Sequence, residues 1–162
     1  MTRILLYTLI QAPIALCFDL ARDTSVHLQS TAQTKERVVA GRREGLFESG
    51  DEVTWEAVHL GVRQRLSTKI TRMEPPLFFE DTMQKGAFKN MRHEHHFSEE
   101  DGITTMTDIF EYEVPLGRAG RLFDRLYLEK YMRNLLLLRN AAIKNLAEKD
   151  NTTGSLESRS SK

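Results

Sequence analysis

Two hydrophobic periods alternate along this chain. Ile4–Ile10 is rich in Ile, Leu, Tyr and Thr and reads as a first strand. Pro13 suits the first turn of a short helix whose apolar side carries Ile14, Leu16, Cys17, Phe18 and Leu20. Asp23 reads as the N-cap of a second short helix reaching about Ser30. The period then falls to two. Thr34–Arg43, Glu52–His59, Val62–Met73, Leu77–Gln84, Phe88–Phe97 and Ile103–Val114 read as six strands. Gly61 marks one tight hairpin, Lys85-Gly86 another, and Glu99–Gly102 a charged turn, while Pro75-Pro76 ends a strand because proline cannot donate to the ladder. Connections this short predict antiparallel neighbours, since a parallel crossover needs roughly a dozen residues.

From Gly117 to about Glu148 the period becomes helical. Phe123, Tyr127, Tyr131, Leu135, Leu138, Ala142 and Leu146 recur at steps of three and four, widened by Leu128, Met132 and Leu136. Arg121, Arg125, Glu129, Arg133, Asn140 and Lys144 are expected on the opposite, solvated face. Residues 149–162 are polar and aperiodic and read as a disordered tail behind one domain, 1–148. The pattern predicts an α+β fold: a strongly curved, antiparallel seven-stranded sheet wrapped on a long C-terminal helix, with two short helices after strand 1. Such a sheet cannot close on one helix along its whole length, and the gap is a natural cavity for an apolar ligand.

Composition removes other classes. Lys+Arg and Asp+Glu both number 23, so no global field recruits nucleic acid. No run approaches the ~20 apolar residues that cross a bilayer, so no integral membrane segment is expected. The apolar start is broken by Gln11 and Pro13 and followed by Asp19, which favours strand-then-helix over a secretory signal. The single cysteine, Cys17, excludes an internal disulfide and a CxxC zinc site and points to a reducing, cytoplasmic setting. No phosphate loop, dinucleotide fingerprint or nucleophile elbow occurs, and no cofactor is implied.

Three of the five histidines fall within Phe88–Phe97. Strand alternation sends Met91, His93, His95 and Phe97 to one face and Arg92, Glu94 and His96 to the other. If the chain turns at Glu99–Gly102, Ser98 pairs with Ile103, His93 lies opposite Asp108, His95 opposite Met106 and Met91 opposite Phe110. Around Leu60-Gly61 the same counting sets Trp55 opposite Leu66 and His59 opposite Val62. A bulge near Lys85-Gly86 would put Phe79, Asp81 and Met83 on the histidine face. The expected concave set is Trp55, His59, Leu66, Phe79, Asp81, Met91, His93, His95, Met106, Asp108, Phe110 and Tyr112, joined by Tyr127 and Tyr131 from the helix.

This order, with Trp55-Glu56-Ala57-Val58-His59-Leu60-Gly61, Pro75-Pro76, Phe79-x-Asp81-x-Met83, Gly86-x-Phe88, His93-x-His95-x-Phe97 and Tyr112-Glu113-Val114-Pro115-Leu116-Gly117, resembles the START-like, Bet v 1-like superfamily. It is similar to a bacterial branch labelled SRPBCC, or polyketide cyclase/dehydrase and lipid-transport-like proteins. The resemblance implies a helix-grip fold with a deep hydrophobic cavity, holding lipids, polyketides, hormones or quinones in different members, and carries no universal catalytic motif. A cavity partner is therefore expected to be a hydrophobic small molecule.

The polar residues of the concave set fit four roles. They can form an internal hydrogen-bonded seam, orient a ligand, or catalyse acid–base chemistry through a His93–Asp108 pair aided by His59, His95 or Tyr112. They can also hold a metal, with His-x-His plus His59 or an aspartate as ligands. The first functional expectation is a carrier of a hydrophobic small molecule, the second a cyclase- or dehydratase-type enzyme, the third a module that binds a protein through its helix or loops. Oligomeric state is open.

Overall fold

A computed structural model describes the backbone of residues 1–160 and the side chains of residues 1–152. The elements are β1 (Thr2–Ile10), α1 (Ile14–Ala21), α2 (Thr24–Ser30), a 3-10 turn (Ala32–Thr34), β2 (Arg37–Gly41), β3 (Glu52–His59), β4 (Val62–Glu74), β5 (Phe78–Lys85), β6 (Asn90–Glu100), β7 (Ile103–Glu113), α3 (Gly117–Phe123), a π-turn (Asp124–Leu128) and α4 (Glu129–Ser160). The strands form one antiparallel sheet in the order β1-β7-β6-β5-β4-β3-β2. Asp23 caps α2 as expected, accepting from the backbone N–H groups of Ser25 and Val26. Cys17, on the inner face of α1, is fully buried in the core, and burial raises its thiol pKa. The expected strand Thr34–Arg43 is shorter, because the 3-10 turn takes its first residue.

Turn chemistry sets the registers. Leu60 and Gly61 both take positive φ (52° and 78°), the geometry of a two-residue hairpin, and place Trp55 opposite Leu66 and His59 opposite Val62 as counted from the sequence. Between β6 and β7 the turn is Asp101-Gly102 alone, with φ of 51° and 75°. Ile103 therefore pairs with Glu100 rather than Ser98, and every predicted partner moves by two. His95 lies opposite Asp108, His93 opposite Phe110, Met91 opposite Tyr112 and Phe97 opposite Met106. A two-residue slip preserves the face, so the concave set survives although its cross-strand pairs do not. Asp81 pairs with His93 and shares its face, as the bulged alternative required.

The C-terminal helix differs more. The π-turn inserts an extra residue per turn and rotates the phase of what precedes it. Phe123 and Tyr127, expected inside, are exposed and pack on each other at 6.0 Å. Leu138 is also exposed, whereas Asn140, expected in solvent, is buried together with Arg139. The inward stripe is Asp124, Leu128, Met132, Leu136, Arg139/Asn140, Ile143 and Ala147. The expected tail begins inside the helix: Asn151 Nδ2 donates to Gln11 O at 2.9 Å, and the backbone stays helical to Ser160. Most of 149–162 otherwise lies outside the residues whose side chains are described.

Where α3 starts, Gly120 lies against the chain that leads into it. A Cβ there would meet Pro115 O at 1.8 Å. Gly120→Ala is therefore expected to lower stability despite alanine's better helix propensity, by about 1–3 kcal/mol as for other overpacked sites. Urea unfolding measures this; an unchanged or raised midpoint would contradict the packing of α3 on Pro115.

Candidate functional site

The buried residues form two apolar clusters. One contains Ile10, Phe18, Trp55, Phe79, Phe97, Met106 and Ile143; the other contains Ile4, Leu6, Met91, Phe110, Tyr112 and Leu136. Between them, β1, β5, β6, β7 and α4 each cross from one cluster to the other through a polar residue. On β6 these are His93 and His95, between Met91 and Phe97. On β7 it is Asp108, between Phe110 and Met106, and on β1 it is Thr8, between Leu6 and Ile10. On α4 they are Arg139 and Asn140, between Leu136 and Ile143, while β5 adds Asp81 beyond Phe79.

Asp108 is the centre of this layer and is fully buried. Its Oδ1 lies 3.1 Å from His93 Nε2 and 3.5 Å from Arg139 Nη1, and its Oδ2 accepts from Asn140 Nδ2 at 2.6 Å. His95 Nδ1 approaches Oδ1 to 2.8 Å but out of hydrogen-bond alignment. Arg139 also donates to Ala21 O at 2.8 Å, and Asn140 to Thr8 Oγ1 at 3.1 Å, so the layer ties α4 to α1, β1 and β7. On the other side of His95, Nε2 lies 3.3 Å from Asp81 Oδ1, and the ring stacks on Phe79 at 4.1 Å. Burial would raise the Asp108 pKa, but His93 and His95 hold it well below the ordinary value. Burial and the neighbouring His95 push His93 down to about 4, against the pull of Asp108, so His93 is neutral at pH 7. A carboxylate only accepts, so neutral His93 carries its proton on Nε2.

A cavity lies between the sheet and the helix, in two lobes. The inner lobe, about 170 Å³, is bounded by the polar layer through Asp81, His93, His95 and Arg139, with Phe79, Met91, Phe110 and Leu136 around them. The outer lobe, about 270 Å³, is lined mainly by apolar side chains, among them Leu60, Val114, Leu116, Phe123 and Leu128. Glu36, Trp55, His59, Leu66, Phe88 and Met132 line both. At this junction His59 Nδ1 lies 3.0 Å from Tyr131 Oη, and His27 stacks on Trp55 at 4.2 Å while facing Glu36 at 3.4 Å. Burial lowers the His59 pKa, opposed by Glu36; for Glu36 itself the burial penalty is outweighed by His27 and Thr31, and its pKa is lowered.

Of the residues expected to line the cavity, Trp55, His59, Leu66, Phe79, Asp81, Met91, His93, His95, Phe110 and Tyr131 do so. Met106, Asp108 and Tyr112 face the concave side but are sealed within its wall, where they have no solvent exposure. Tyr112 donates to buried Asp124, and burial with that partner raises its phenol pKa far above the ordinary value, which removes it as a proton donor. Tyr127 lies outside the cavity for the helical-phase reason given above. His59 is with Tyr131 rather than with the His93/His95 group, while His96 points outward to Glu94. Arg139, Glu36, His27 and Phe88 are wall residues that strand counting does not find. Arg139-Asn140, a polar pair directly after Leu135–Leu138, is the available signal for the first.

The layer predicts its own sensitivity. Asp108→Ala leaves Arg139 buried without its carboxylate and should cost about 3–5 kcal/mol in urea unfolding. A variant as stable as the parent would contradict the pairing. The pH dependence has a definite sign. His93 is neutral when folded and protonates near 6.5 when unfolded, so stability present at neutral pH is lost as pH falls from 6.5 toward about 4. The lowered pKa values of Asp81 and Asp108 extend that loss to lower pH. His93→Gln should flatten the 6.5-to-4 part of the profile; an unchanged profile would place the titration elsewhere.

No protein-family model matches the chain, and no curated protein sequence matches it. Solved structures do. The protein TTHA0849 from Thermus thermophilus superposes with a TM-score of 0.70 at 22% identity, covering 88% of this chain and 97% of that one. A START superfamily protein from Mycobacterium smegmatis gives 0.66 at 14% identity, over 91% and 97% of the two chains. The ginseng major latex-like protein 151 from Panax ginseng gives 0.62 at 13%, over 90% and 97%. With its seven-stranded antiparallel sheet, paired short helices after β1 and long C-terminal helix, the chain has the helix-grip fold of the START and Bet v 1-like proteins.

Proposed function

We propose that this protein binds a hydrophobic small molecule, of the lipid or polyketide kind, with a polar group at one end. The observation that carries this reading is the asymmetry of the cavity. A largely apolar outer lobe leads past Trp55, Leu66 and Met132 to an inner lobe ended by Arg139, His93, His95 and Asp81. Ligand sites combine apolar walls with a few placed polar groups, the walls supplying affinity and the polar groups orientation. Cavities of roughly 150 Å³ hold a single aromatic ring. The inner lobe is of that size, so a ring-sized polar head fits there and the apolar body extends into the outer lobe. The exposed Leu60, Leu116 and Phe123 at the outer lobe keep the path to solvent apolar.

One observation favours a second reading, an enzyme of cyclase or dehydratase type. His93 reaches the inner lobe while its Nε2 is held by Asp108, which leaves Nδ1 as a potential base. Its low pKa makes it a weak one. Loss of turnover in His93→Gln with ligand affinity retained would support catalysis; equal loss of both would assign His93 to binding.

Native mass spectrometry of protein purified from its own host tests the carrier reading. A co-purifying mass of ligand size is the expected result, and repeated clean apo spectra would overturn a tight carrier. A second measurement needs no native ligand. Leu66→Trp fills the junction of the lobes and should weaken binding of the apolar fluorophore 1-anilinonaphthalene-8-sulfonate by tenfold or more with the circular dichroism spectrum unchanged. Undiminished binding would place the probe elsewhere.

A further inference from the structure

We propose that Asp81, His93 and His95 form a binding site for a divalent transition-metal ion of the zinc type at the floor of the inner lobe. Each contributes one ligand atom, and the three atoms lie within 4.8 Å of one another. Two of them already stand at coordination spacing. Metal–ligand bonds of ~2.0–2.1 Å in a tetrahedron put neighbouring ligand atoms ~3.3–3.4 Å apart, and Asp81 Oδ1 and His95 Nε2 are 3.3 Å apart. His93 completes the set by closing on them from the next inward position of the same strand, its ring centroid 3.9 Å from that of His95.

The surroundings match what such a site requires. Metal-bound imidazoles present one nitrogen to the ion and direct the other at a carboxylate that fixes the ring. Asp108 stands behind both histidines, 3.1 Å from His93 Nε2 and 2.8 Å from His95 Nδ1, and is itself held by Asn140 and Arg139. His95 carries the sharper argument. It is almost completely buried, and its two ring nitrogens face two different carboxylates. A neutral imidazole has one N–H. As the side chains stand, Nε2–H donates to Asp81 Oδ1 at 3.3 Å and buried Nδ1 has no aligned partner; a cation held by Nε2 and the Asp81 oxygen would move the proton to Nδ1, which lies 2.8 Å from Asp108. Three protein ligands leave a coordination position toward the inner lobe, where the polar end of a bound molecule could meet a Lewis acid. The site rests on the inner lobe's geometry and is independent of whether a hydrophobic ligand occupies the outer one.

The test uses tag-free full-length protein, stripped with chelator and titrated with Co(II) and Zn(II). The expected result is one equivalent of Co(II) with the visible absorption of a four- or five-coordinate N/O site, displaced by Zn(II). Asp81→Asn, which preserves shape at a half-buried position, should abolish the absorption while the circular dichroism spectrum is retained. Asp108→Asn, if folded, should weaken binding by about 10–100-fold, as loss of a carboxylate behind a metal-bound histidine does. Absence of a stoichiometric Co(II) spectrum in folded parent protein would overturn the site, as would a spectrum that Asp81→Asn leaves unchanged. Neither outcome bears on the native-ligand mass spectrum, so the two proposals fail separately.

Discussion

The structure depends on one buried carboxylate. Asp108 has no contact with solvent, yet it is ionised, because His93, Asn140 and Arg139 surround it with donors. Desolvating a charge this fully is costly unless every lone pair is served. Serving it draws in side chains from β6 and from α4, and through them Ala21 at the end of α1 and Thr8 of β1. Apolar packing alone would let α4 slide or rotate on the sheet. Donors that must meet one carboxylate fix both its height and its phase.

That layer also decides where the cavity ends. The two apolar clusters lie on either side of it, and the curved sheet stands away from the helix between the layer and the β3–β4 hairpin. The inner lobe is thus floored by groups that stabilise the fold, which makes structure and binding share residues. His93 and His95 are buried enough to belong to the core and yet line the space a ligand would fill. A role for them in recognition costs the protein no extra buried polar group.

Much of this is legible in the sequence because the strand period is robust. Counting from a turn at Glu99–Gly102 instead of the tighter Asp101-Gly102 displaces every cross-strand pair of that hairpin by two. A slip of two leaves each side chain on its face, so the concave set is unchanged and His93 still meets Asp108, diagonally instead of directly. The helix has no such protection. A π-turn at Asp124–Leu128 changes the phase by part of a turn, which sends Phe123 and Tyr127 outward, and beyond it the inward stripe runs through Leu136, Arg139/Asn140 and Ile143 instead of Leu135, Leu138 and Ala142. Backbone hydrogen bonding of that kind has no signature in a hydrophobic stripe. The pairing of His27 with Glu36 and its stacking on Trp55 depend on how α2 lies across the sheet, which local spacing does not encode.

The central claim is that a dry polar layer, organised by Asp108, closes the inner end of the cavity. Nitrogen-15 NMR of the imidazole rings across a pH titration tests it directly, since each ring nitrogen reports whether it carries a proton. The account predicts that His93 remains neutral, with its proton on Nε2, from neutral pH down to about 4. A His93 that titrates near 6.5, or that carries its proton on Nδ1, would show a layer open to water and would contradict the arrangement on which both fold and cavity rest.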